Sequence, residues 1–323
     1  MPEAGALAAD PAAASDPSLV AALREAGCVF AEEEAAILHG AATDAAHLRD
    51  LLAARVAGAP LEPLVGWVAF RGLRLSVGPG VFVPRQRSVL LADRAVAATR
   101  AAGEGAVMLE AFAGVAPIAA CVRAEVPGAQ IHAAEIDGTA RVHARRNLAD
   151  AARVHGGSVL DGVPDALRGR LAVIAAVAPY VPDAEAALLP REARDAEPMA
   201  ALLGGADGLD HIGALILRCG PWLAPGGRLL LEMHRRQMDR ARELGEGAGL
   251  SARRTLREDG STGVLELARR GARRSRRAAA GAQRRRPATG SGVPAATEIV
   301  APMVAASASA SSTARARSDL AIE

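Results

Sequence analysis

From residue 105 to 268 the chain alternates short apolar runs with amphipathic stretches of helical period. Strands are predicted near 106–111, 129–134, 153–158, 171–177, 227–233, 251–257 and 263–268. Helices are predicted near 87–101, 117–125, 138–150, 207–220 and 235–247. Repeated strand–helix alternation predicts a largely parallel sheet covered on both faces. The turn cluster Glu258-Asp259-Gly260-Ser261 between the last two strands predicts that they pair antiparallel.

The pattern before this region is different. Asp16-Pro17 reads as an N-cap with Pro in the first turn. Helical spacing follows to Gly27, then over 31–38 and 44–56, until Gly58-Ala59-Pro60 stops it. In residues 66–84, Trp67, Ala69 and Phe70 precede Arg71-Gly72, and Leu73, Leu75 and Val77 then alternate with Arg74 and Ser76, which predicts a hairpin. The expected organisation is a loose segment 1–15, a helical domain 16–58, a linker with a β-hairpin 59–86, a sheet domain 87–268 and an Arg/Ala-rich tail 269–323 without periodicity.

Composition narrows the picture little. Half of the 323 residues are hydrophobic and only 2% aromatic, so Ala, Leu and Val must build the core. The net charge of +2 names no partner, and Arg supplies every fixed basic charge. Arg runs at 269–277 and 284–286 offer at most a weak contact with nucleic acid. Cys28, Cys121 and Cys219 are far apart, which predicts neither a metal site nor a disulfide framework and fits a reduced, cytoplasmic protein. The N-terminal stretch lacks the basic and apolar regions of a signal peptide, and no apolar run is long enough for a membrane span.

Candidate chemistry sits at strand ends, where open parallel sheets bind ligands. The first sheet strand runs into Phe112-Ala113-Gly114-Val115-Ala116-Pro117, and Gly114 allows close backbone approach to a nucleoside. The second ends at Glu135-Ile136-Asp137, where an acid can bind both ribose hydroxyls. The fourth ends abruptly at Val177-Ala178-Pro179-Tyr180. His132 and His143 show no partner at metal-ligand spacing.

Several stretches occur in one order: Gly58-Ala-Pro-Leu-Glu-Pro, Phe70-Arg-Gly-Leu-Arg-Leu, Val83-Pro-Arg-Gln-Arg-Ser88, Arg145-Arg-Asn-Leu148, Ala178-Pro-Tyr-Val-Pro182, Glu192-Ala-Arg-Asp-Ala-Glu-Pro198, Gly204-Gly-Ala-Asp-Gly-Leu-Asp210, Leu223-Ala-Pro-Gly-Gly227 and Leu231-Glu232 with Gln237. Over roughly residues 20–268 the chain thereby resembles the release factor glutamine N5-methyltransferase family. The segment at 83–88 is closer to a divergent branch than to the main enzymes, which carry Arg-Pro-Glu-Thr-Glu there. The resemblance implies an α/β, class I (Rossmann-like) methyltransferase fold with a seven-stranded sheet. It implies S-adenosylmethionine as methyl donor and, as acceptor, an exposed glutamine loop of a release factor-like protein. Glu110, Phe112, Gly114, Ala116, Glu135, Ile136 and Ser158 are the implied cofactor residues, and Val177, Ala178, Pro179 and Tyr180 the implied acceptor residues.

The chain departs from the family at polar positions. Val177 stands for the Asn whose side chain holds the acceptor amide, Glu110 for an Asp, Ala116 for a second Gly, Ser158 for an Asp and Ala172 for another. Loss of the amide implies an impaired reaction, and the Ala116 methyl is expected to crowd the cofactor. Two alternatives stay open: a catalytically inactive binding protein on the same scaffold, and a methyltransferase with a different acceptor. Arg85, Arg87, Arg191 and Arg194 are expected to form a basic rim, or Arg194 to brace the loop by pairing with Asp195 or Glu197.

Overall fold

A computed structural model describes residues 16–269. The segments 1–15 and 270–323, on which the expectations of a loose start and an Arg-rich tail fall, lie outside the described residues.

Four helices open the described chain: α1 (Pro17–Glu25), α2 (Ala31–Ala41), α3 (Ala45–Val56) and the short α4 (Leu61–Val65). Asp16 and Asp44 cap α1 and α3 by accepting from Ser18 N and His47 N. Leu19, Leu23, Ala35, Leu38 and Leu51 bury one face each into a small core. The spacing had not predicted α4, whose first turn begins directly after Pro60.

Strands β1 (Trp67–Phe70) and β2 (Leu73–Ser76) form the expected hairpin. Arg71 and Gly72 turn it with φ of 48° and 76°, the double positive φ of a tight two-residue turn. Val68, Phe70 and Leu75 are buried in the same core as the main sheet, so the hairpin packs as part of that layer.

The sheet domain continues with α5 (Val89–Ala102), β3 (Val107–Ala111), α6 (Pro117–Glu125), β4 (Gln130–Glu135), α7 (Gly138–Leu148), β5 (Val154–Gly156) and β6 (Leu171–Ala176). It ends with α8 (Arg191–Ala196), α9 (Asp210–Cys219), β7 (Leu223–His234), α10 (Met238–Gly247), β8 (Leu250–Leu256) and β9 (Thr262–Arg269). Seven strands lie in the order β5-β4-β3-β6-β7-β9-β8. β9 runs antiparallel to both neighbours and the other pairings are parallel. This order, with its penultimate antiparallel strand, is the class I methyltransferase sheet. β7 begins at Leu223 rather than near 227 because Leu223 already pairs with Leu171. Among the described residues, no helix is long and apolar enough to cross a membrane, and no group of three potential metal ligands occurs.

Each sheet face has its own core. Met108, Val173, Ala175 and Leu230 pack under α5 and α6, while Leu109, Ile174, Leu229 and Leu231 pack under α9 and α10. The connections leave in opposite directions from β3 and β6, which makes their carboxyl ends the switch point where open α/β sheets bind ligands.

Candidate active site

The loop after β3 passes through three left-handed residues, Phe112, Gly114 and Ala116, with φ of 52°, 53° and 61°. Gly114 is the open one, since no atom lies within 4 Å of where a Cβ would stand. Glu135, at the tip of the neighbouring strand, hooks the loop: its Oε2 accepts from Gly114 N at 2.7 Å and its Oε1 from Asp137 N at 2.7 Å. Each carboxylate oxygen retains a lone pair. Ile136 beside it is 65% exposed, an uncovered apolar side chain on a strand tip. Ser158 is exposed after β5.

Two expected cofactor residues play other parts. Glu110 is 1% exposed and turns back from the loop, accepting from Ile118 N and Ala119 N at 3.3 and 2.6 Å. It caps the first turn of α6 from within the core. Burial pushes its carboxyl up to about 8, against the pull of those two amides. Ala116 is 0% exposed and belongs to the core under α6. Its methyl packs within that core.

Asn147 is a residue that the sequence pattern did not single out by role. Its Nδ2 donates to the carbonyls of Val115 and Ser76, and its Oδ1 accepts from Ser76 N at 2.7 Å. One amide thus ties the hairpin to the loop after β3. An Asn on an amphipathic helix carries no local signal of such a role.

Val177, Ala178, Pro179 and Tyr180 leave β6 next to this loop. Gln237 Nε2 donates to the carbonyls of Tyr180 and Asp207 at 2.8 and 3.0 Å. Gly204 N donates to Val181 O, and a Cβ at Gly208 would lie 2.1 Å from Tyr180 O. Gln237 and the segment around 204–210 therefore brace the turn. The Ala178 carbonyl accepts from no group among the described residues.

The expected basic rim is split by pairing. Arg85 Nη2 donates to both oxygens of Glu197 at 2.7 Å, and Val83 N donates to the same carboxylate. Burial raises Glu197 against the pull of Arg85. Arg87 lies 3.6 Å from the buried Glu232 and 5.9 Å from the Tyr180 ring centroid. Burial raises the Tyr180 hydroxyl, with Arg87 opposing. Arg194 does not brace the loop by an ion pair: it donates to Ala187 O, while Arg191 pairs with Asp195. His132, given no metal partner, stacks on His155 with Nδ1···Nε2 at 3.0 Å.

No family model matches the chain. A release factor glutamine methyltransferase from Streptomyces coelicolor is 35% identical over 215 residues, covering 62% of this chain and 76% of that protein. The chain belongs to the release factor glutamine methyltransferase family. It spans 61% to 64% of the length of three further such relatives. A 4-amino-L-phenylalanine/4-methylamino-L-phenylalanine methyltransferase from Streptomyces pristinaespiralis is 32% identical over 183 residues, covering 55% of this chain and 62% of that protein. A solved release factor-specific protein-(glutamine-N5) methyltransferase from Alicyclobacillus acidocaldarius superposes with a TM-score of 0.39 at 19% identity, covering 60% of this chain and 99% of that one.

Proposed function

We propose that this chain moves a methyl group from S-adenosylmethionine to the side-chain nitrogen of a glutamine in a release factor-like protein, in the cytoplasm. One observation carries the reading: the Gly114–Glu135 hook and the Ala178-Pro179-Tyr180 turn stand together at the switch point of a sheet of this family.

The site's residues fit the donor. Open space over Gly114, the spare lone pairs of Glu135 and the uncovered Ile136 suit a nucleoside, with Ser158 at the adenine end. The bound donor supplies a methyl group activated on sulfur. Everything else falls to the chain. An amide nitrogen is a poor nucleophile because its lone pair is delocalised, so the site must hold the NH2 group still and turn its lone pair to the donor. The Ala178 carbonyl is free to accept one amide proton. Tyr180 follows in the same turn, its backbone carbonyl held by Gln237. Val177 accepts nothing, so position 177 itself supplies no second oriented partner for the amide.

The test is incubation of the full chain with labelled donor and purified release factors, followed by mass spectrometry to locate the label. Label on a glutamine side chain supports the reading; donor binding by calorimetry with no label on any glutamine overturns it. A second reading, transfer to a different acceptor, is favoured by Arg87, which stands where the main enzymes carry Glu, and by the relative named for an aromatic amino acid amine. Label on an aryl amine and none on glutamine selects it.

A further inference from the structure

Val177 and Glu232 are neighbours across two strands. Ala176 pairs with Leu231, so the next residue on each strand comes off side by side. Both lie on the sheet face under α5, since Val177 packs against the core holding Ala175 and Leu230, and side chains alternate along each strand. Position 177 is where the family carries its amide. The polar group nearest to it in register is therefore the carboxylate of Glu232.

That carboxylate is 2% exposed and half used. Its Oε1 accepts from Ser88 Oγ at 3.1 Å and is the atom Arg87 Nε approaches at 3.6 Å. Its Oε2 is buried with no hydrogen-bond partner. Closing the gap to Arg87 would satisfy Nε and Oε1 and leave Oε2 as it is. Buried carboxylate oxygens are rarely left unpaired in native proteins. Arg87 spans the space between Glu232 and the Tyr180 ring, which sets this carboxylate beside the turn that carries Tyr180.

We propose that Glu232 Oε2 accepts an N–H of the substrate amide, in place of the motif amide that Val177 has removed. With Ala178 O it gives the two acceptors that fix an NH2 group. A carboxylate here also opposes the positive charge that grows on the attacking nitrogen. Ser88 and Arg87 hold Oε1, which aims Oε2. The inference rests on the glutamine reading.

The experiment compares glutamine methylation by the wild-type chain with Glu232→Gln, Val177→Asn and the double variant. Glu232→Gln is expected to lower kcat by about 100-fold or more while leaving donor affinity unchanged. In that background Val177→Asn restores most of the loss, whereas in the wild type it gains only about tenfold, because the two groups serve one proton. Glu232→Asp, which keeps the charge facing Arg87 but withdraws the oxygen, gives the same kcat loss should the Gln variant fail to fold. Full activity in either folded Glu232 variant, or a loss that Val177→Asn does not repair, overturns the inference alone. A wild-type chain that methylates no glutamine overturns it together with the glutamine reading.

Discussion

Gln237 holds the backbone of Tyr180 from the far side of the turn, donating through Nε2 to its carbonyl at 2.8 Å. The same nitrogen reaches Asp207 O, and its Oε1 accepts from His234 N. A single buried amide thus joins β6, the 204–210 segment and the end of β7. Under the proposed function this turn presents a backbone carbonyl to the substrate, and Gln237 is the group that fixes its backbone.

Gly208 shows how little room the arrangement leaves. Its φ is +73°, and a Cβ would meet Tyr180 O at 2.1 Å and Gln237 Nε2 at 2.4 Å. Backbone cannot yield as a flexible side chain does. Gly208→Ala is expected to cost about 3 kcal/mol from left-handed strain and overpacking together. Denaturant unfolding measures the loss, and glutamine methylation should fall further than stability alone explains, because Tyr180 is displaced.

Ala116→Gly tests which way the Ala116 methyl points. A left-handed Ala costs about 1–2 kcal/mol. Its replacement by Gly forfeits roughly 0.8 kcal/mol of methyl burial and adds about 0.4–1 kcal/mol of unfolded-chain entropy. These offset one another, so stability should stay within about 1 kcal/mol of the parent. Donor affinity by calorimetry should also be unchanged. A large tightening would mean that the methyl faces the donor after all.

Much of the sheet was legible because parallel strands and their covering helices differ in period, and β3, β6 and β7 each carry an apolar run. The placement of Gly114, Glu135 and the Tyr180 turn at the ends of strands was legible too. The site was not legible where non-local contacts decide. Glu110 reads like a ligand-facing acid, yet it reaches over the loop to α6. Phe112 and Ala116 give no hint of left-handed backbone, because neither is Gly. The partners of Glu232, Arg87 and Ser88, lie just before α5, far away in sequence, so its half-paired state shows only in the fold.

The pairing of His132 with His155 predicts an acid limit to stability. Burial is the first cause lowering both imidazoles, and it takes His132 down to about 4, helped by His155 and Arg153. The unfolded chain therefore binds protons that the folded chain refuses, and the stability from this pair, complete above about 6.5, is lost as pH falls toward about 4. His132→Leu should remove much of that slope, because it deletes the imidazole that burial shifts furthest. Thermal melts of parent and variant between pH 4 and 7 check it; parallel curves would sink the assignment.

Glu110 predicts a slope of opposite sign at higher pH. Its carboxyl titrates near 4.5 in the unfolded chain and near 8 in the fold, with burial the dominant cause. Between those values the folded state holds the extra proton, so this contribution is fully present below about 4.5 and fades as pH rises through about 8. A neutral carboxyl can still accept from Ala119 N, so α6 keeps its cap while protonated. Glu110→Gln holds the group neutral at every pH. The variant should match the parent near pH 5 and exceed it in melting temperature near pH 9, where the parent must keep a charge in an apolar core. If instead the parent is the more stable at pH 9, the two backbone amides outweigh burial, and Glu110 is an ionised cap throughout.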